Sequence, residues 1–224
     1  MKLNVNVSIS NNLQQEFPDL KIAIMKVKNI DYQSDETKLK QEKQKIEKFI
    51  GTNYQDVKNL DVIKSYNQFF KKFGKVYPIQ YQIQSIIDGK GLPSTIKVVE
   101  AMFMAELQTM FLTAGHDLDK IEGNLKVELT DGDEKYLKIN QKDQILKPKD
   151  LICSDNRGII SSVLYGPDFR TRITKNTENC LFFSYFPYGQ DDANINGHFN
   201  SILKYIKIIS TTNLLTSEIE IFES

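Results

Sequence analysis

The sequence predicts an α+β fold, and three observations predict it. Strand-like and helix-like segments are partly segregated along the chain, not alternated as in a wound βαβ array. The N-terminal segment LNVNVSI alternates apolar and polar residues with period two, as a half-buried strand does. The middle of the chain carries apolar residues at helical spacing instead, and strand patterns return after residue 124.

Taken in order, residues 3–9 read as a strand. FPDLKIAIMKVKNI follows, with apolar residues on both parities from Leu20 to Val27, which suits a strand covered on both faces. SDETKLKQEKQKIEKFIG reads as a helix, with Ser34 as N-cap, Asp35 and Glu36 in the first turn and Gly51 as a stop. Leu39, Ile46 and Ile50 form its thin apolar stripe, and its lysines alternate with glutamates as on a solvated face. Leu60, Ile63, Tyr66, Phe70 and Phe73 mark a second helix ending at Gly74.

Pro78 opens a third helix carrying Ile79, Ile83, Ile86 and Ile87. After the DGKGLPS loop, Ser94 or Thr95 starts a long helix with Ile96, Val99, Phe103, Leu107 and Met110 on one face. NLKVELT, DGD and EKYLKI read as a hairpin, and residues 150–154, 158–165 and 179–185 as further strands. Phe199, Ile202, Leu203, Ile206 and Ile209 mark a last helix, with Asn196 or Gly197 as its cap, and EIEIF reads as a short terminal strand.

Composition narrows the function. The 224 residues are 40% hydrophobic with formal net charge zero, so a uniformly basic nucleic-acid coat is excluded while a local basic patch is not. No apolar run approaches the roughly 18 residues needed to cross a bilayer, and a soluble, cytoplasmic protein is expected. Cys153 and Cys180 stand apart in apolar strand-like runs and read as buried hydrophobes; with two histidines in all, no metal site or other cofactor is expected. Neither a Walker loop nor a GxSxG, HExxH or GxGxxG motif is present.

Three places carry polar chemistry. In GHDLDKIEGNL, Asp117 beside His116 could orient an imidazole as a general base, while capping and pairing are the other fates of Asp117 and Asp119. YGPDFRTRITKNTEN combines Tyr165, Arg170, Thr171 and Arg172, which suit phosphate contact and base stacking, or else form a polar surface loop. His198, ahead of the last helix, reads as structural.

AGHDLDKIEGNLKVELTDGDEKYLKIN, LKPKDLICSDNRGIISSVLYG and TRITKNTENCLFF, in that order, resemble the tRNA-editing module in the third and fourth domains of the phenylalanyl-tRNA synthetase beta subunit. The start FPDLKIAI, the helix YNQFFKKFG and the loop GKGLP are similar to free-standing proteins built on that module, and the likeness runs from about residue 17 to 210. It implies a three-layer β/β/α sandwich with helices on one side, in one domain over 1–224: a strand–helix portion at 1–75, an editing-module-like core at 76–210 and a tail at 211–224.

The resemblance further implies a protein that binds the aminoacyl end of tRNA and hydrolyses mischarged aminoacyl-tRNA in trans, with no metal. A non-catalytic binder of a free amino acid or related metabolite is the alternative; neither DNA nor membrane is an expected partner. His116 and Asp117 would address the amino acid or the water, and Tyr165, Arg170, Thr171 and Arg172 the 3′ end. The chain departs from the module at Ala114 and His116, where the module has a histidine and an aromatic. It departs again at Phe182 and Phe183, where the module has an acid.

Overall fold

The computed structural model describes residues 5–33, 36–54 and 57–223. Ser34 and Asp35, expected to begin the first long helix, lie outside them, as do the first four residues of the chain. The order along the chain is β1 (Val7–Ile9), α1 (Asn11–Glu16), β2 (Lys21–Lys28), α2 (Glu36–Asn53), α3 (Asp61–Lys71), α4 (Pro78–Ile87) and α5 (Lys97–Thr109). It continues with β3 (Thr113–Asp117), β4 (Leu125–Leu129), β5 (Lys135–Leu137), β6 (Asp143–Ile145), β7 (Leu151–Asp155), β8 (Gly158–Ser162) and β9 (Gly166–Pro167). β10 (Cys180–Phe186), α6 (Asp192–Ile209) and β11 (Thr216–Glu223) close it.

Two sheets stack. One has the strand order β1-β4-β7-β8-β9, the other β11-β2-β10-β3, and β5 and β6 pair apart from both. β10 shows why this is a sandwich. All seven of its residues are buried, so both its faces must be covered. The Ser184 hydroxyl meets Thr113, which in turn meets His198 of α6, whereas the next side chain, Tyr185, meets Ser161 of β8. Successive strand residues face opposite ways. The four-stranded sheet is therefore the middle layer, with α5 and α6 on one face and the five-stranded sheet on the other. α2 and α4 pack on these helices, and α1 lies against β4.

Local chemistry explains most elements. Pro78 occupies the first turn of α4, where its missing N–H costs nothing. α6 begins at Asp191, whose carboxylate accepts the Ala193 N–H at 2.8 Å, five residues ahead of the expected Asn196 cap. His198 thus lies inside α6. The expected stop at Gly51 is overrun by two residues, to Asn53. β2 keeps six consecutive residues buried, as its apolar run on both parities requires.

Two expectations are corrected. The DGD segment makes no hairpin: β4 pairs with β1 in parallel and β7 antiparallel, and β5 pairs with β6. Glu134 accepts the N–H groups of Asp131 and Gly132 at 2.8 and 2.9 Å and curls the loop on itself. Thr130 then exchanges backbone hydrogen bonds with Lys149 and Asp150, which hands β4 to the apolar strand β7. Residues 211–223, read as a tail, hold a full sheet strand. β11 pairs with β2 along its full length, from Thr216 with Lys28 to Glu223 with Lys21. Lys26, 5% exposed, lies 2.5 Å from Glu220 across that pairing. Cys153 and Cys180 are free thiols in the core. Among the described residues, no helix is long and apolar enough to cross a membrane.

Candidate functional site

β3 is an edge strand of the middle sheet. Beyond that edge, α5 and the β8–β9 corner leave a cavity of about 340 Å³. Its helix wall is Ile96, Val99, Met102, Phe103 and Glu106; its sheet wall is Thr113, Ala114 and Gly115; Ser162, Val163, Gly166, Pro167, Ile173 and Tyr185 close the far side. The α5 stripe expected to be core divides: Leu107 and Met110 are buried, while Ile96, Val99 and Phe103 face this hollow. Gly115 keeps the sheet wall open, because a Cβ there would meet Ile173 Cδ1 at 2.8 Å and Met102 Sδ at 3.2 Å.

Glu106 carries the one carboxyl in that wall and is 1% exposed. Its Oε1 accepts the Thr113 N–H at 2.6 Å, the only hydrogen bond of this carboxyl among the described residues. Burial pushes its pKa up to about 8, against the opposing pull of that N–H. At neutral pH the group is mostly a protonated carboxylic acid, able to donate a hydrogen bond into an apolar space.

Behind Glu106 a buried network holds β3 to α6. The Thr109 hydroxyl donates to Ala105 O, so the His198 Nδ1–H must be the donor in the 2.7 Å contact with Thr109. His198 Nε2 is then an acceptor for the Thr113 hydroxyl at 2.7 Å, and Thr113 accepts from Ser184 at 3.0 Å. Burial holds His198 neutral, with its pKa lowered to about 3. It is structural, as expected.

None of the six residues singled out in the sequence lies in the cavity wall, although Gly115, Gly166 and Ile173 beside them do. His116, expected on a connecting loop, is a residue of β3 and fully buried. His116 faces the other way from Gly115, and there Thr171 covers it. Its Nδ1 meets Thr171 Oγ1 at 2.7 Å. The Thr171 hydroxyl is itself hydrogen-bonded to Asp168, which makes Nδ1–H the donor and leaves Nε2 an acceptor, buried with no hydrogen-bond partner among the described residues. Burial first, and then Arg170, lowers the His116 pKa to about 3, with Asp155 opposing.

The rest of the set is held by its own chain. Asp117 accepts from Thr177 Oγ1 at 2.8 Å and caps a short 3-10 turn through the Asp119 N–H at 3.1 Å. Arg170 reaches Asp155 at 2.8 Å and Lys120 O at 2.6 Å; Arg172 lies over the Phe169 ring at 3.6 Å. Tyr165 sits under the ammonium of Lys75 at 4.0 Å. The structure thus joins His116 to Thr171 but turns Asp117, Tyr165 and both arginines elsewhere. The residues the sequence reading missed are Glu106, Thr113, Ser162 and Tyr185. One signal was available for the first: Glu106 interrupts the apolar run AMFMAELQTM.

A family model described as the B3/4 domain matches residues 66–197, from the middle of α3 into α6. The chain belongs to the B3/4 domain family. That span takes in both walls of the cavity, while β2 and β11, outside it, complete the middle sheet. The phenylalanine–tRNA ligase beta subunit of Mycoplasma pneumoniae is 34% identical over 76 residues, which are 34% of this chain and 9% of that protein. An N-terminal fragment of the phenylalanyl-tRNA synthetase beta-subunit from Pyrococcus horikoshii superposes over 97% of this chain and 51% of its own length, with TM-score 0.49 and 14% identity. This B3/4 chain spans about half of that fragment and a small part of the full subunit.

Proposed function

We propose that this B3/4 domain binds the aminoacyl end of tRNA, seats the amino-acid side chain in the cavity beside Glu106, and hydrolyses the ester of amino acids that fit. The observation that carries the reading is a mostly apolar hollow with one proton-bearing carboxyl in its wall. At about 340 Å³ the hollow lies at the small end of ligand pockets, which run from about 300 to 1,000 Å³. It suits one apolar side chain, not a nucleotide.

Water adds to the ester carbonyl, and the oxyanion that forms accepts a hydrogen bond from the Glu106 carboxyl. A neutral acid in a dry site stabilises such charge without being titrated itself. The carbon–oxygen bond to the ribose then breaks, and the ribose oxygen takes the proton the water gave up. Positioning by the bound tRNA end supplies the rest of the acceleration.

The experiment is deacylation of tRNA charged with a panel of amino acids. Hydrolysis of at least one apolar or aromatic ester well above buffer is expected, lost in Glu106→Ala and kept in part in Glu106→Gln, whose amide still donates. If no ester is hydrolysed faster than in buffer, the catalytic reading fails. Thermal stabilisation by free amino acids, with no RNA interaction, would instead point to a metabolite binder.

A further inference from the structure

On the outer side of the β8–β9 corner, three ammonium groups converge from three segments of the chain. Lys75 follows α3, Lys138 follows β5 and Lys147 precedes β7. Lys75 Nζ lies 4.0 Å and Lys138 Nζ 5.9 Å from the centre of the Tyr165 ring. Each of the three is held by a neutral oxygen: Lys75 by Leu164 O at 3.2 Å, Lys138 by Gln144 Oε1 at 2.9 Å and Lys147 by Phe73 O at 2.8 Å. Among the described residues none of the three forms an ion pair, so their charges are placed but not neutralised.

The acid whose charge acts on Lys75 is Asp150, which is fully buried and already hydrogen-bonded by the Ser162 hydroxyl at 2.5 Å. Lys72 and Lys149 stand beside Lys147 and share the single carboxylate of Glu16. A chain of zero net charge thus gathers five lysines here, two of them sharing Glu16. The crowding is felt: burial first, then Lys147 and Lys138, lowers the pKa of Lys75, with Asp150 opposing.

The position of the trio names its ligand. Ile139, next to Lys138, lines the cavity, and so do Val163 and Gly166, which flank Leu164 and Tyr165. A side chain and ester seated in the cavity beside Glu106 leave the ribose at this corner, and the next phosphates of the strand fall on its outer side. We infer that Lys75, Lys138 and Lys147 form a docking site for the phosphodiester backbone of single-stranded RNA that leads into the cavity. This rests on the proposed function, and it adds the path by which the strand enters.

The probe is a short fluorescent oligoribonucleotide ending in CCA, titrated at 50 to 200 mM salt against the full chain. Three phosphate contacts on a single strand predict about a 20-fold loss of affinity over that range, from a slope of about −0.7 per contact. The triple variant Lys75→Gln, Lys138→Gln, Lys147→Gln should bind weakly with that part of the slope gone. The matching Lys→Arg triple should retain it, and Lys207→Gln on α6 should leave it unchanged. An unaltered slope in the Gln triple, or no binding of the oligonucleotide by the wild type, overturns the lysine site. Thermal stabilisation by a non-hydrolysable aminoacyl-adenosine reports on the cavity alone. Its absence, alongside lysine-dependent oligonucleotide binding, would overturn the cavity reading and leave the docking site standing.

Discussion

The His116 Nδ1 lies 2.7 Å from Thr171 Oγ1, and the proton between them belongs to the histidine, because the Thr171 hydroxyl is committed to Asp168. An Asp–Thr–His chain of this order fixes the tautomer of an imidazole. Here the imidazole is fully buried and absent from the cavity wall, so the chain fastens β3 to the segment carrying Thr171.

Thr171→Val tests that role. The substitution leaves the buried His116 Nδ1–H without its partner and takes one of two donors from Asp168 Oδ1, which keeps the Thr171 backbone N–H. At about 1–3 kcal/mol for the unpaired N–H and about 1 kcal/mol for the lost hydrogen bond to Asp168, a loss of roughly 2–4 kcal/mol is expected, read as a lower urea midpoint with unchanged m-value. Deacylation per folded molecule should stay within about twofold of wild type. A drop of a hundredfold or more, in protein shown to be folded, would return His116 to the chemistry.

The pairing of β11 with β2 makes a second expectation. Deleting residues 211–223 would bare the edge of β2, whose residues from Ile22 to Val27 are all buried, and remove the carboxylates of Glu218 and Glu220 that face Lys26. An uncovered apolar edge strand pairs with other chains. Size-exclusion chromatography should show dimers or larger species, and a monomer with unchanged melting temperature would contradict the account.

The sequence made the middle layer and the helices readable for physical reasons. An apolar run on both parities can only be a strand covered twice, as in β2, and Pro78 can only begin a helix that ends before Gly89. Spacing says which residues share a face but not what that face meets, so Ile96, Val99 and Phe103 looked like core. Strand partners are also invisible locally: the DGD turn looked like a hairpin until Glu134 and Thr130 found their partners. His116 stands one residue away from the cavity wall at Gly115. Polar residue types draw attention, whereas the cavity is made by the small neighbours Gly115 and Gly166 that leave room.

Glu106 gives the expectation that bears most directly on function. Its pKa rises from 4.5 to about 8 on folding, so the unfolded chain gives up this proton first as pH increases. Its contribution to stability is fully present below pH 4.5 and is lost as pH rises through 8. Glu106→Gln has no such proton. The wild-type unfolding free energy should therefore fall relative to the variant between pH 4.5 and 8, at up to about 1.36 kcal/mol per pH unit. The chemistry should follow the same proton: deacylation above the buffer rate is highest below pH 8 and declines above it, as the donor becomes a carboxylate, while the Gln variant keeps a flat profile. Parallel stability curves for the two proteins across that range would show that Glu106 is ionised throughout and could not act as the donor.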